Sequence, residues 1–362
     1  MQKNIAVFKE CLNLRLFKNI IPKKQQMYNS KISGLGYFVP ENIVTNDDLA
    51  KIIDTNDEWI LERTGISERR HVVKGSGETT SSMAVKASKI AIERSGINKD
   101  DIDFIVFATI TPEYYFPGPG VTLQKELGLR TIGALDIRNQ CSGFVYALSV
   151  ADQYIKSGMY KNILIVGAEL QSLGLDMTTR GRNVSVIFGD GAGAAIVSRE
   201  EDLTKGVLST HLHSEGEHAL ELSVAAPGMG GRWVNDIIDD NNPDDPSYRP
   251  HMNGQFVFKH AVVRFAEVIN EGLEANNLQV SDIDMLIPHQ ANLRISQFIQ
   301  KKFELRDDQV FNNIQKYGNT TAASIPIALT EAWELGKIKS GDTVVLAAFG
   351  SGFTWASAII KW

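Results

Sequence analysis

The sequence predicts an α/β protein built from two duplicated halves, residues 28–204 and 205–362, related by a pseudo-twofold axis. Three observations carry that reading. Landmarks recur in the same order along the chain. Asp101-Ile102-Asp103 opens DIDFIVFATI, and Asp282-Ile283-Asp284 opens DIDMLIPHQA. IKSG at 155–158 precedes NILIVGA, and IKSG at 338–341 precedes TVVLAAF. FGDG at 188–191 leads into AGAAIV, and FGSG at 349–352 leads into FTWASAII. One such pair could arise by chance, whereas an ordered series indicates a repeated unit. Second, these runs are short, apolar and β-branched, as buried strands are. Third, AVKASKIAIERSGI and AVVRFAEVINEGLEANNL, each ahead of a DID run, space their apolar residues for a helix. Helices alternating with such strands imply sheets covered on their faces.

The chain has 362 residues, enough for one large or two fused domains. Apolar residues make up 43% and charged residues 22%, an ordinary globular balance. A net charge of -6 excludes a phosphate backbone as the expected partner, since that needs a basic field. No apolar run approaches the roughly 20 residues of a membrane span, so no membrane partner is expected. Cys11 and Cys141 are the only cysteines, which excludes a disulfide framework and suits a cytoplasmic location. Residues 1–27 are basic and moderately apolar, without the long apolar centre and small-residue cleavage site of a signal peptide. They are expected to lie outside the fold.

Three residues stand out chemically. Cys141 lies between the strand-like TIGALDI and a helix whose apolar positions are Phe144, Ala147, Leu148, Ala151 and Ile155. A thiol there faces the unpaired N–H groups and positive pole of the helix, which favours thiolate. Ser142 and Gly143 are small and leave room for a substrate. His289 ends the second DID strand, and Asn319 precedes a further helix. Alone, a buried cysteine, a satisfied histidine and a turn asparagine are unremarkable. Together, three reaction-competent side chains at element ends of a duplicated fold form the constellation that nucleophilic catalysis needs.

DIRNQCSGF, PHQANLRI, KYGNTTAAS, FGDGAGAA and FGSGFTW together resemble the β-ketoacyl-acyl carrier protein synthase III family, from about residue 30 to the C-terminus. The resemblance implies the thiolase fold. It also implies an acyltransferase that condenses an acyl-CoA with a malonyl-acyl carrier protein, with loss of CO2, through an acyl-cysteine. Cys141, His289 and Asn319 would be the catalytic triad, and the backbone N–H groups of Cys141 and Ser351 the oxyanion hole. Trp59, Arg63 and Arg182 would bind CoA. Phe258 and Phe349 would wall the acyl pocket, and Phe116 would reach into that of a partner subunit in a homodimer. Lys259, Arg294, Lys301 and Lys302 would dock the acyl carrier protein, with Lys259 opening its helix. No cofactor and no metal is implied.

Two departures bear on the acyl donor. Arg138, Asn139 and Gln140 stand where the family often has small residues, and the Gly/Pro/Asn/Asp-rich segment 227–251 is long. Both features resemble relatives that take longer acyl donors. The alternative is therefore a related condensing enzyme of secondary metabolism, of head-to-head or alkylresorcinol/quinolone type. The absence of any cysteine after Cys141 separates the chain from biosynthetic thiolases.

Overall fold

A computed structural model describes residues 28–226, 228 and 245–362. Residues 1–27, and most of the long segment 227–251, lie outside the described residues. The first sheet contains β1 (Asn29–Phe38), β2 (Phe104–Ala108), β3 (Gly133–Ile137), β4 (Asn162–Glu169) and β5 (Gly191–Glu200), in the order β1-β5-β4-β2-β3. The second contains β6 (Gly206–Ser214), β7 (Met285–Pro288), β8 (Thr343–Gly350) and β9 (Thr354–Lys361), in the order β7-β8-β9-β6.

Pairing senses repeat between the sheets. β1–β5 and β5–β4 are antiparallel and β4–β2 is parallel. In step with these, β6–β9 and β9–β8 are antiparallel and β8–β7 is parallel. β3 pairs in parallel with β2, and the matching place in the second sheet holds one parallel bridge from Leu286 to Val310. Each DID landmark thus stands before its sheet's β2 or β7, and each IKSG before β4 or β8.

Six helices complete the layers: α1 (Asp57–Thr64), α2 (Thr80–Ser95), α3 (Gly143–Lys156), α4 (Gly254–Ala275), α5 (Leu293–Lys302) and α6 (Ser324–Glu334). α3 and α6 lie between the sheets. Phe144, Ala147, Leu148, Ala151 and Ile155 of α3 are fully buried in one core with Val106 and Ile165 of the first sheet and Val344 and Ile360 of the second. Burying an aliphatic or aromatic side chain of this size contributes roughly 1.5–3 kcal/mol. α2 covers the outer face of the first sheet, through Met83, Ala87 and Ala91 against Ile105 and Leu164. α4 and α5 cover the outer face of the second, through Phe265, Ile269 and Ile299 against Val345 and Ile359. The result is five alternating layers, and both central helices start at the same end of their sheets' parallel strands.

Local signals fix the ends. Thr79 caps α2 in a reciprocal capping box with Ser82, and Gly96 ends the helix at φ 70°. α4 begins at Gly254, so Lys259 stands in its second turn and does not open it. The aromatic run before Lys259 is helical because Phe256 and Phe258 pack against the same core as the rest of α4.

Candidate active site

Cys141 sits in a single 3-10 turn, Gln140–Ser142, that joins β3 to α3. Gln140 is held at φ 44°, a conformation uncommon for a side-chain-bearing residue and concentrated at functional sites. The end of β8 runs directly against the thiol. A Cβ placed on Gly350 would lie 2.6 Å from Cys141 Cβ and 3.1 Å from its Sγ, so glycine is required there. The backbone N–H groups of Cys141 and Ser351 face the sulfur. Ser142 and Thr354 are hydrogen bonded at 2.7 Å, which ties the Cys141 turn to the β8–β9 connection.

The thiol is buried and 7% exposed. Burial pushes it up to about 12, and the charge of Glu169 adds to that, while the two N–H groups pull the other way. This corrects the expectation of a resting thiolate, because desolvation of the anion outweighs the helix terminus in a site this enclosed.

His289 follows β7 and is held by its backbone N–H donating to Ala347 O at 2.8 Å. Its Nδ1 lies 2.5 Å from Ser324 Oγ. Ser324 Oγ also accepts from the Gln290 N–H at 3.4 Å, which leaves its own proton for Nδ1. The ring's proton is thereby assigned to Nε2, which is buried and has no partner among the described residues. Burial holds the imidazole neutral by lowering its pKa to about 3. An unfolded histidine protonates near 6.5, so between those values the unfolded chain binds one proton more. Stability therefore falls as pH drops through that window, by up to about 1.4 kcal/mol per unit. Urea unfolding of wild type and His289→Asn at pH 7 and pH 5 should show wild type losing about 2 kcal/mol more than the variant.

Asn319 is positioned by close backbone contact. Its N–H donates to Ile187 O at 2.9 Å and its carbonyl accepts from the Gly189 N–H at 3.1 Å. A Cβ on Gly189 would meet Tyr317 O at 2.2 Å, and one on Gly318, at φ 63°, would meet Ile187 O at 2.7 Å. These approaches explain why FGDG and YGN occur together. The Asn319 Oδ1 accepts from the Thr321 N–H at 2.8 Å, which turns the Nδ2 donors away from that bond. Thr321 is itself at φ 49° and is held by Gln171 Nε2 at 2.8 Å. Ala322, Gly143 and Ala108 pack together, since a Cβ on Gly143 would lie 3.0 Å from Ala108 Cβ and 3.5 Å from Ala322 Cβ. The Asn319–Ser324 segment therefore joins the His289 ring to the start of the cysteine helix.

The remaining candidates fall into separate groups. The Trp59 ring has two guanidinium groups over it, that of Arg63 4.7 Å from the ring centroid and that of Arg182 5.0 Å from it. Phe349 is buried beside Gly350 and packs on Phe353, with ring centroids 4.9 Å apart. Phe258 is half-buried under the Arg294 guanidinium, at 5.8 Å. Phe116 is not brought to this chain's site and is 82% exposed, with Tyr114 and Tyr115 exposed beside it. Lys259, Arg294, Lys301 and Lys302 are exposed on α4 and α5. The Arg63 carbonyl accepts from Asn292 Nδ2 at 2.9 Å, joining α1 to the start of α5.

Sequence reasoning missed Ser324, Thr321 and Glu169, all in contact with the site. A usable signal existed, because the duplication aligns GNTTAAS before α6 with RNQCSG before α3, and polar residues in one such turn face the other. Among the described residues, no group of three or more His, Cys, Asp or Glu side chains could hold a metal ion. Among them, too, no helix is long and apolar enough to cross a membrane.

Residues 135–216 match the family profile 3-oxoacyl-[acyl-carrier-protein] synthase III, and residues 273–362 match the profile of its C-terminal part. The chain is 44% identical to the β-ketoacyl-[acyl-carrier-protein] synthase III of Aliivibrio fischeri over 332 residues, 92% of this chain and 99% of that one. It is similar to the crystal structure of 3-oxoacyl-[acyl-carrier-protein] synthase III from Aquifex aeolicus, with a TM-score of 0.83 and 40% identity over 92% of this chain and 100% of that one. The priming β-ketosynthase of a polyketide biosynthetic pathway is also similar, at a TM-score of 0.83 and 31% identity, over 94% of this chain and 98% of that one. Near-complete coverage at that identity, on two sheets of repeated topology with a thiol between them, places this chain in the β-ketoacyl-[acyl-carrier-protein] synthase III family of thiolase-fold condensing enzymes.

Proposed function

We propose that this protein transfers an acyl group from an acyl-CoA to Cys141 and condenses it with a malonyl-acyl carrier protein. The observation that carries this is a free thiol enclosed at the start of a central helix, faced by the Cys141 and Ser351 N–H groups. In the first step Cys141 Sγ attacks the thioester carbonyl, and the oxyanion lies on those two N–H groups. The C–S bond to CoA breaks, and the thiol proton leaves with the CoA sulfur. In the second step the malonyl thioester loses CO2, and the electron pair of the broken C–C bond becomes an enolate. The Nε2–H of His289 and the Nδ2–H of Asn319 supply the donors for its oxygen. The enolate carbon attacks acyl-Cys141, the C–S bond to Cys141 breaks to give a β-ketoacyl-carrier product, and the released cysteine sulfur takes a proton from water. The reaction balances without a cofactor.

The Trp59–Arg63–Arg182 stack supports nucleotide recognition, with an aromatic face and two cations suited to an adenine and its phosphates. A homodimer is the second part of the proposal. β3 is an edge strand, Leu135 on it is 37% exposed, and the exposed Tyr114–Phe116 cluster lies in the loop before the helix Pro119–Glu126. Exposed edges and aromatic patches of this kind are ordinarily covered. The division at 204/205 is supported by its fall between β5 and β6, and a cytoplasmic setting by the free thiol that the chemistry needs reduced.

A series of acyl-CoA donors with malonyl-carrier protein tests the function, with the product identified by mass. The expected product carries the acyl chain lengthened by a two-carbon keto unit. Release of a product with two acyl chains joined head to head overturns this in favour of secondary metabolism.

Arg294, Lys301 and Lys302 lie on one helix beside Lys259, and carrier proteins are acidic. The double reversal Arg294→Glu/Lys301→Glu is expected to raise KM for the malonyl-carrier protein several-fold. It should leave acylation by acyl-CoA nearly unchanged and flatten the dependence on salt. Steady-state kinetics at two ionic strengths checks this, and an unchanged KM moves the docking site elsewhere.

A further inference from the structure

Arg69 is the only buried lysine or arginine among the described residues, and it is 0% exposed. Among those residues no carboxylate bonds to it, although Glu68 and Asp57 act on its charge from further away. Its acceptors are neutral. Nη1 donates to Asn46 Oδ1 at 2.8 Å and to Val44 O at 3.1 Å, and Nη2 donates to Val186 O at 2.8 Å. Nε is buried and has no partner among the described residues. Burying a cation without a bonded anion is costly, and an apolar side chain of similar length would fill the space at less cost. What arginine alone brings is a rigid fork that reaches acceptors on three separate elements at once.

Each of those elements leads to the site. Val186 caps the C-terminal end of the short helix Arg182–Ser185, which carries Arg182. The next carbonyl, Ile187 O, accepts from the Asn319 N–H at 2.9 Å, and Phe188 forms a parallel bridge with Asn319. Asn46 Nδ2 donates to Asp57 Oδ1 at 2.7 Å and to Ile66 O at 2.8 Å. Asp57 opens α1, which carries Trp59 and Arg63. Arg69 itself lies in the short strand Glu68–Arg70, which pairs with Ile43–Thr45. It packs directly under the Asn319 turn, since a Cβ on Gly189 or on Gly318 would stand 3.2 Å from Arg69 Cβ. The neighbouring Arg70 O accepts from the Asp190 N–H at 2.8 Å. One guanidinium thus joins the elements on both sides of the Trp59 ring to the backbone that places Asn319.

We propose that Arg69 is a positioning residue that sets the Asn319 amide for the condensation and, through the same fork, holds the helices of Trp59 and Arg182 at the spacing that CoA needs. The proposal rests on the reading of Asn319 as an enolate donor and of the Trp59 stack as the CoA site. Without the fork, the 186–189 segment loses its tie to Val44 and Asn46, and the Asn319 amide shifts with it. A donor displaced from the place where charge develops loses much of its effect.

The test is a double-mutant cycle on the separate half-reactions, with rates taken per active site, counted by intact mass as the Cys141 that becomes acylated. Arg69→Met removes the fork and keeps the length. Decarboxylation of malonyl-carrier protein, which brings no adenine to the stack, reads Asn319, and KM for the acyl-CoA reads the stack. Arg69→Met is expected to slow decarboxylation about tenfold and to raise that KM several-fold, with the saturated rate of Cys141 acylation little changed. Arg69→Lys should share these losses, because one ammonium cannot span the three elements. In an Asn319→Ala background, Arg69→Met should slow decarboxylation by less than about twofold more, since the group it positions is gone. A merely structural loss would instead carry its full factor into that background. Should Arg69→Met fail to fold, Arg69→Lys runs the same cycle. A full loss in the Asn319→Ala background, equal losses in both half-reactions, an unmoved KM, or Arg69→Lys at wild-type rates overturns the proposal and leaves the role of Asn319 intact. Decarboxylation at the wild-type rate in Asn319→Ala alone overturns the reading of Asn319, and the role of Arg69 falls with it.

Discussion

Cys141→Ser is expected to abolish the acyl adduct that wild type forms with its acyl-CoA, and to lower condensation by at least about a thousandfold. The exchange keeps the shape of the site, since a hydroxyl fits where the thiol sits against Gly350. It removes the chemistry. An alcohol in this enclosed site is far harder to ionise than the thiol and a much weaker nucleophile, so the acyl transfer becomes kinetically blocked although the oxygen ester itself would be stable. The Cys141 and Ser351 N–H groups remain, so binding of the acyl-CoA should persist while the covalent step fails. Intact-mass analysis and a parallel binding measurement separate the two. Stoichiometric acylation of the serine variant at another residue would sink the assignment of the nucleophile. Gly350→Ala gives a second arm, because its methyl would press on Cys141 Cβ at 2.6 Å and should cost acylation without touching the thiol itself.

Much of this site was legible in the sequence because duplication made it so. The ordered DID, IKSG and FGDG/FGSG landmarks placed β2 with β7 and β4 with β8, and so showed which strand ends face each other across the chain. Cys141, His289 and Asn319 are candidates as polar residues at element ends, after β3, after β7 and before α6. Electrostatics was not legible. The thiolate expected from a helix N-terminus depends on local sequence alone, whereas the burial that opposes it depends on how tightly β8 and Ala322 close over the turn. The partners of Cys141, His289 and Asn319 were missed for the same reason. Ser324 meets His289 across 35 residues, and Glu169 meets Thr109 across 60. Serine and glutamate at helix starts and strand ends carry no mark of what they will touch. Arg69, fully buried beneath the Asn319 segment and bonded to Val44 O, Asn46 Oδ1 and Val186 O, likewise carries no mark of its burial in the sequence.

His289→Ala and Asn319→Ala are expected to divide the two half-reactions. Both residues can act as donors: His289 through an Nε2 that has no partner among the described residues, Asn319 through an amide whose oxygen is already taken by the Thr321 N–H. Donors of that kind act where negative charge develops, which is the enolate formed as CO2 leaves, and removing one typically costs about 3 kcal/mol, or roughly a hundredfold or more in rate. Each variant should therefore lose decarboxylation of malonyl thioester and condensation by that factor while keeping most of its Cys141 acylation, since neither side chain touches the sulfur as a base in the resting site. The pH profile adds a check. With the imidazole held neutral by burial down to about 3, wild-type decarboxylation should show no acidic limb near the ordinary histidine value of about 6.5. A limb there that disappears in His289→Ala would mean that the ring protonates during turnover, making it an acid–base group and not a fixed donor. Decarboxylation that proceeds at the wild-type rate in both alanine variants would remove the enolate role from these residues altogether.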